Sequence, residues 1–229
     1  MLLYQYLSSI LPALALLYIF VTLDRFPEPT DKIIKTFILG ILICFPAYYL
    51  NTYSSDYIYY EMDYGEFRDL LYDLIPGAVI EELLKMSILV FYCSRIKEFD
   101  EPMDGLVYGA TAALGFAVYE NIIYVTSSDD WEHTAIIRAL FSVPSHSFSG
   151  IFLGFSMSYY IFYKKNIIFP LIGLFISIYL HYLWNYSAEN NPIYLVLIMF
   201  VEIILVYILF RHLRKKQKKH QLLMNKLYG

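Results

Sequence analysis

Apolar runs about as long as a bilayer is thick follow one another along this chain with little between them. They cover positions 2–23, 33–50, 74–93, 105–125, 135–163, 167–186 and 192–210, each closed off by charges, proline or polar clusters. A helix needs ~20 apolar residues to cross a hydrocarbon core of ~30 Å, and lipid offers no partner to an unpaired backbone group, so such runs fold as spanning helices. The expected fold is therefore all-α, a polytopic membrane helix bundle of about seven transmembrane helices. One transmembrane domain is expected over 1–210, followed by a basic tail over 211–229. With 59% hydrophobic and 17% charged residues, the composition excludes an ordinary soluble domain. The first run has no basic stretch before it and no small-residue cleavage site, and Asp24, Arg25 and Pro27 follow it at once. It is expected to be a retained helix rather than a signal peptide. Cys44 and Cys93 lie inside apolar runs, without metal-binding or redox spacing, and read as packing residues.

Charge sets the expected orientation. If the loops alternate between the two sides, fourteen Lys and Arg residues fall on one side and two, Arg68 and Arg138, on the other. By the positive-inside rule this predicts the N-terminus outside and the C-terminus in the cytoplasm. The basic tail then serves orientation and contact with anionic lipid rather than nucleic-acid binding. The loop between the second and third runs, with Asp56, Glu61, Asp63, Glu66, Asp69 and Asp73, would face outward.

Against this background the polar residues inside the runs stand out. Glu81, Glu82 and Lys85 share one turn of the third run. A charged side chain near the bilayer centre costs roughly 2.5–3.5 kcal/mol on insertion scales, so three together need partners or a function. The other polar residues in the runs are Glu120 and Asn121, Ser145 and His146, His181 and Asn185, and Glu202, on four further runs. At ~1.5 Å per residue, Glu81, Glu120, His146 and His181 all fall roughly 8–16 Å below the outer end of their spans. This depth predicts one polar cavity that opens outward and is shared by spans three to six. Glu81 and Lys85 lie one turn apart on one face, with Glu82 about 100° around the helix, so only one of the glutamates can face such a cavity. His181 and Asn185 likewise share a face. Gly150, one turn from His146, leaves room for a neighbouring helix or a substrate backbone. Glu202, outside these motifs, reads as a packing group.

Four motifs occur in order on successive helices: Glu81-Glu82-x-x-Lys85, Phe116-x-x-x-Glu120, His146-x-x-x-Gly150 and His181-x-x-x-Asn185. With the segment from Asp24 to Pro29 after the first run, they resemble the PrsW family of bacterial intramembrane proteases and, more distantly, the prenyl endopeptidases and bacteriocin-processing enzymes. The resemblance covers about residues 20 to 190. It implies an endopeptidase in the bacterial plasma membrane that cuts a single-span membrane protein, an anti-sigma factor, at a first site on the outer side.

Hydrolysis needs a base for water and donors for the oxyanion. Glu81 is the expected base, with Glu82 as the alternative. His181 and Asn185 would form the oxyanion hole, Glu120 would orient the water or share a proton, and His146 would protonate the leaving amine or complete the polar wall. Lys85, Phe116 and Gly150 would support them. No cofactor is expected, and the rival chemistry is zinc held by Glu81, Glu120, His146 and His181. A rival of another class is a proton-coupled transporter using the same buried groups.

Overall fold

A computed structural model describes residues 1–228 as a bundle of helices, with no strand among the described residues. The helices are α1 (Leu2–Leu23), α2 (Thr30–Glu61), α3 (Glu66–Leu74), α4 (Ile80–Phe91), α5 (Asp104–Ser127), α6 (Trp131–Ile137), α7 (Val143–Tyr159), α8 (Ile168–Asn190) and α9 (Pro192–Tyr228). Among the described residues six stretches are long and apolar enough to cross a membrane: α1, α2, α5, the α6–α7 stretch Trp131–Tyr163, and the apolar parts of α8 and α9. The third of the seven apolar runs is the exception.

That run is broken at its start. Residues Ile75–Val79 form a wide turn in which Pro76 is extended (φ −65°, ψ 138°) and Gly77 takes φ 79°, a conformation that a side chain would strain. The helix resumes as α4, only twelve residues long. Irregular backbone at membrane depth is tolerated where it lines a cavity, and Pro76 and Gly77 do line one. The second run departs in the other direction. Its helix continues past Leu50 to Glu61, 32 residues in all, so Asn51 lies inside α2 and not in a loop. At ~1.5 Å per residue α2 is far longer than the hydrocarbon core. Its extra turns carry Tyr53, Tyr57, Tyr59 and Tyr60, rings suited to the interface.

The centre of the bundle is α5, where 78% of the apolar window is buried, against 11% in α9. Small residues allow this. A Cβ on Gly109 would lie 2.1 Å from the Gly150 carbonyl oxygen, and one on Gly105 would lie 2.3 Å from that of Gly154, so α5 and α7 touch backbone to backbone. On another side, a Cβ on Gly115 would meet the Phe37 carbonyl at 2.1 Å, which brings α2 equally close. Where lipid competes equally for apolar surface, such close approach is what holds helices together. The space beside Gly150 is thus filled by α5, the first of the two uses expected for it.

Residues from distant parts of the chain fix which helix ends lie together. Gln217 of α9 hydrogen-bonds Asp24, just after α1, and Glu101, just before α5. Asn51 of α2 bonds Glu81 at the start of α4. Residue 217 and the N-terminus of α1 therefore sit at opposite ends of the bundle. The helix runs through position 210 without a break, and Leu213 and Gln217 are buried against the bundle. The side chains of Lys164, Lys218, Lys219 and Lys226, all counted in the charge asymmetry, lie outside the described residues.

Candidate active site

Glu81 and Glu82 occupy the first turn of α4, where free backbone N–H groups favour carboxylates. Their surroundings diverge, as the 100° between them requires. Glu82 is completely buried, and its Oε1 accepts from Lys85 Nζ at 2.8 Å, from His181 Nδ1 at 2.8 Å and from Ser149 Oγ at 3.3 Å. Three helices converge on that one carboxylate. Glu81 faces a cavity of about 540 Å³ walled by α2, α5, α7, α8 and the turn before α4. Its Oε1 accepts from Asn51 Nδ2 at 3.2 Å, and Asn51 Oδ1 in turn accepts the Gly77 N–H at 3.1 Å. Its Oε2 is buried with no hydrogen-bond partner, 4.0 Å from His181 Nε2 and 3.8 Å from Lys85 Nζ.

The other candidates form a second cluster against the first. His146 Nδ1 lies 3.1 Å from Lys85 Nζ, and an ammonium only donates. That assignment makes Nδ1 the acceptor and leaves Nε2–H to donate to Glu120 Oε2 at 2.7 Å. Glu120 also pairs with Arg138 Nη2 at 2.6 Å. The Phe116 ring carries Lys85 Nζ over its face at 4.5 Å and lies 5.7 Å from the His146 ring. The imidazoles of His146 and His181 meet edge to face at 5.5 Å. Asn185 lines the cavity one turn beyond His181, close to Gly77. Every candidate from the four motifs except Gly150, which packs against α5, is thus at this cluster, with Glu81, Glu120, His146, His181 and Asn185 on the cavity wall and Glu82, Lys85 and Phe116 behind them.

Glu202 lies outside the wall, buried, and accepts from Ser145 Oγ at 3.4 Å. At the mouth Asp73 is raised by burial and by neighbouring Asp69. Trp184 also lines the cavity and keeps its indole N–H buried without a hydrogen-bond partner.

Two residues of the cluster escape the sequence motifs. Asn51 tethers the glutamate that faces the cavity. Arg138 grips Glu120, donates from Nε to Asn121 Oδ1 at 2.6 Å, and stacks 4.1 Å over the Tyr124 ring. Arg138 does carry a signal, because it stands inside the apolar run 135–163, where a charge invites the same question as Glu81. Asn51 has none, being a common polar residue at the end of an apolar run.

Comparison with known proteins bears on what such a cluster does. The profile of the family described as PrsW family intramembrane metalloprotease matches residues 28–211. A protein named Protease PrsW from Oceanobacillus iheyensis is 31% identical over 211 residues, covering 89% of this chain and 92% of the relative. Proteins of the same name from Geobacillus kaustophilus and Bacillus subtilis are 33% and 34% identical over 150 and 149 residues, each alignment covering 65% of this chain. No solved structure matches.

The family description names a metal, and the donors can be tested for one. A catalytic zinc takes three protein ligands and keeps a fourth position open. Glu81 Oε2 and His181 Nε2 are open and face each other. Glu120 Oε2 and both nitrogens of His146 are engaged, with Arg138 on the first residue and Lys85 on the second, so two cations crowd the donors a metal would need. Among the described residues, the one group of three His, Cys, Asp or Glu side chains whose donor atoms all come within 4.8 Å of one another is elsewhere, at Asp24, Glu101 and Asp104. The cavity therefore supplies two ligands in this arrangement, which does not fit a zinc site.

Proposed function

Because this chain belongs to the PrsW family of intramembrane proteases, we propose that it hydrolyses a peptide bond of a membrane-anchored protein with water activated by Glu81. The observation that carries this reading is the unpartnered Oε2 of Glu81, buried and turned toward His181 Nε2 across 4.0 Å. A water between them would sit within hydrogen-bond reach of both, and a buried carboxylate oxygen with no other donor is suited to take its proton.

The remaining residues divide the work. Asn51 fixes the rotation of the Glu81 carboxylate through its other oxygen. Glu82 orients His181 by accepting its Nδ1 proton, so that Nε2 faces the reaction space. As the water oxygen bonds to the scissile carbonyl carbon, the carbonyl oxygen takes the negative charge. Asn185 Nδ2 stabilises that charge, joined by His181 Nε2–H when the ring is doubly protonated. Glu81 then passes the proton to the departing amine nitrogen as the C–N bond breaks. His146 has both nitrogens engaged, which favours the polar-wall role over that of acid. Glu120 and Arg138 hold that wall.

We infer as substrate a single-span protein of the bacterial plasma membrane, such as an anti-sigma factor, cut near the outer surface; the depth of the site and the family membership support this reading. With Arg138 set aside as part of the cavity wall, fourteen Lys and Arg residues against Arg68 alone support the cavity facing outward. Coexpression with candidate single-span proteins tests the reading. Cleavage by the wild type and none by Glu81→Gln, at equal membrane levels, is expected. Activity lost to chelation and restored by zinc would replace the glutamate mechanism with a metal one. Proton-coupled flux in liposomes without cleavage would replace it with transport.

A further inference from the structure

A second group of buried acids lies far from the cavity and takes no part in the mechanism. Asp104 opens α5, and the sixteen residues from there to Glu120 span ~24 Å at ~1.5 Å each. Asp24, Glu101 and Asp104 each offer a carboxylate oxygen, all within 4.8 Å of one another, and they are 6%, 6% and 0% exposed. Among the described residues, neither these three nor adjacent Glu28 makes an ion pair with Lys or Arg. Glu28 receives the Tyr108 hydroxyl and lies against Asp104.

Protein donors account for one oxygen of each aspartate. Asp104 Oδ2 accepts the N–H groups of Asp100 and Glu101 at 2.8 and 2.7 Å. Asp24 Oδ1 accepts the Phe26 N–H at 3.1 Å and Gln217 Nε2 at 2.9 Å, and Gln217 Nε2 also reaches Glu101 Oε1. The second oxygens, Asp24 Oδ2 and Asp104 Oδ1, are buried and receive no N–H or hydroxyl donor, and the nearest side chains to these two aspartates include the carboxyls of Glu101 and Glu28. Carboxylates crowded together without a Lys, Arg or other protein donor on their second oxygens either share protons or bind a metal ion. The donors left open are all oxygen, with no imidazole or thiolate, which selects a hard ion over zinc.

We propose that Asp24, Glu101 and Asp104 bind a hard divalent cation of the Mg²⁺ or Ca²⁺ class, which ties the end of α1 to the start of α5, beside the point where Gln217 of α9 docks. The ion bridges segments that Gln217 already brings together and supplies the positive charge that the described side chains do not. It is a structural clamp, remote from the bond being cut. Any loss of activity on chelation would then have to be assigned between this site and the cavity.

Full-length protein in detergent micelles, stripped with EDTA and desalted, is titrated with Mn²⁺ and followed by electron paramagnetic resonance, with thermal unfolding in parallel. One Mn²⁺ per chain is expected, displaced by excess Mg²⁺ or Ca²⁺, and whichever of the two displaces it at lower concentration is the preferred ion. Saturation should raise Tm by about 3 °C or more. Both effects should persist in Glu81→Gln and disappear in Asp24→Asn and in the milder Glu101→Gln. If the aspartate variant does not fold, the wild type and the other two variants still decide. No Mn²⁺ bound by the wild type, or binding that vanishes in Glu81→Gln and survives in Glu101→Gln, overturns the proposal. So does an Asp104→Asn protein that is more stable than the wild type and indifferent to cations, which would mean that the carboxyls share protons instead.

Discussion

Replacing Gly109 with alanine adds one methyl group to the backbone contact between α5 and α7. That Cβ would sit 2.1 Å from the Gly150 carbonyl oxygen, and real Cβ contacts do not fall below 3.0 Å, so the helices must separate locally by at least 0.9 Å. The same two helices carry Glu120 and His146, whose 2.7 Å hydrogen bond would open beyond 3.5 Å if the shift propagates along them. Overpacking of this kind costs ~1–3 kcal/mol, and a displacement near 1 Å at a catalytic cluster can lower the rate on the order of 100-fold. Cleavage of a coexpressed substrate and Tm in micelles give the two readouts. Gly65→Ala serves as the control, since nothing lies within 4 Å of its added methyl. Gly109→Ala with wild-type turnover would refute the claim that backbone contact between α5 and α7 sets the spacing of the site.

Three further substitutions separate roles. Glu82→Gln removes the main partner of buried Lys85, and breaking a buried pair costs roughly 3–5 kcal/mol, so it should lower the yield of folded protein in a thermal-aggregation assay whereas Glu81→Gln should not. Asn51→Ala removes a hydrogen bond to a charged group, worth ~1.5–3 kcal/mol, and should reduce kcat/KM by roughly 10- to 100-fold with Tm little changed. Gly77→Ala forces a side chain onto φ 79°, ψ −85° at a cost of about 1–3 kcal/mol, visible as lower Tm, and should reduce activity through Glu81.

Much of the site was legible because lipid makes polar residues conspicuous. The depth argument alone brings Glu81, Glu120, His146 and His181 to one slab, and the structure gathers all four around one cavity. Angular spacing separates Glu81 from Glu82, but which of them meets the cavity depends on how α4 is rotated, and that is set by Lys85, His181 and Ser149 together. The break at Pro76 and Gly77 is hidden by the apolar residues around it, which keep the run continuous to the eye while the backbone turns. Asn51 was lost for the opposite reason: apolarity fades after Leu50, yet tyrosines sustain the helix for another three turns. Arg138 was misread by treating every arginine near a helix end as a loop charge.

The pairing of Glu82 with Lys85 has a consequence for biogenesis. In the chain α4 precedes α7 and α8, which bring Ser149 and His181, so it is synthesised before them. A carboxylate and an ammonium each cost about 2.5–3.5 kcal/mol to insert alone, but these two lie three residues apart and meet at 2.8 Å without help from any later segment. The pair accompanies its own helix as a nearly neutral unit, and the rest of the cluster then assembles on a carboxylate already in place.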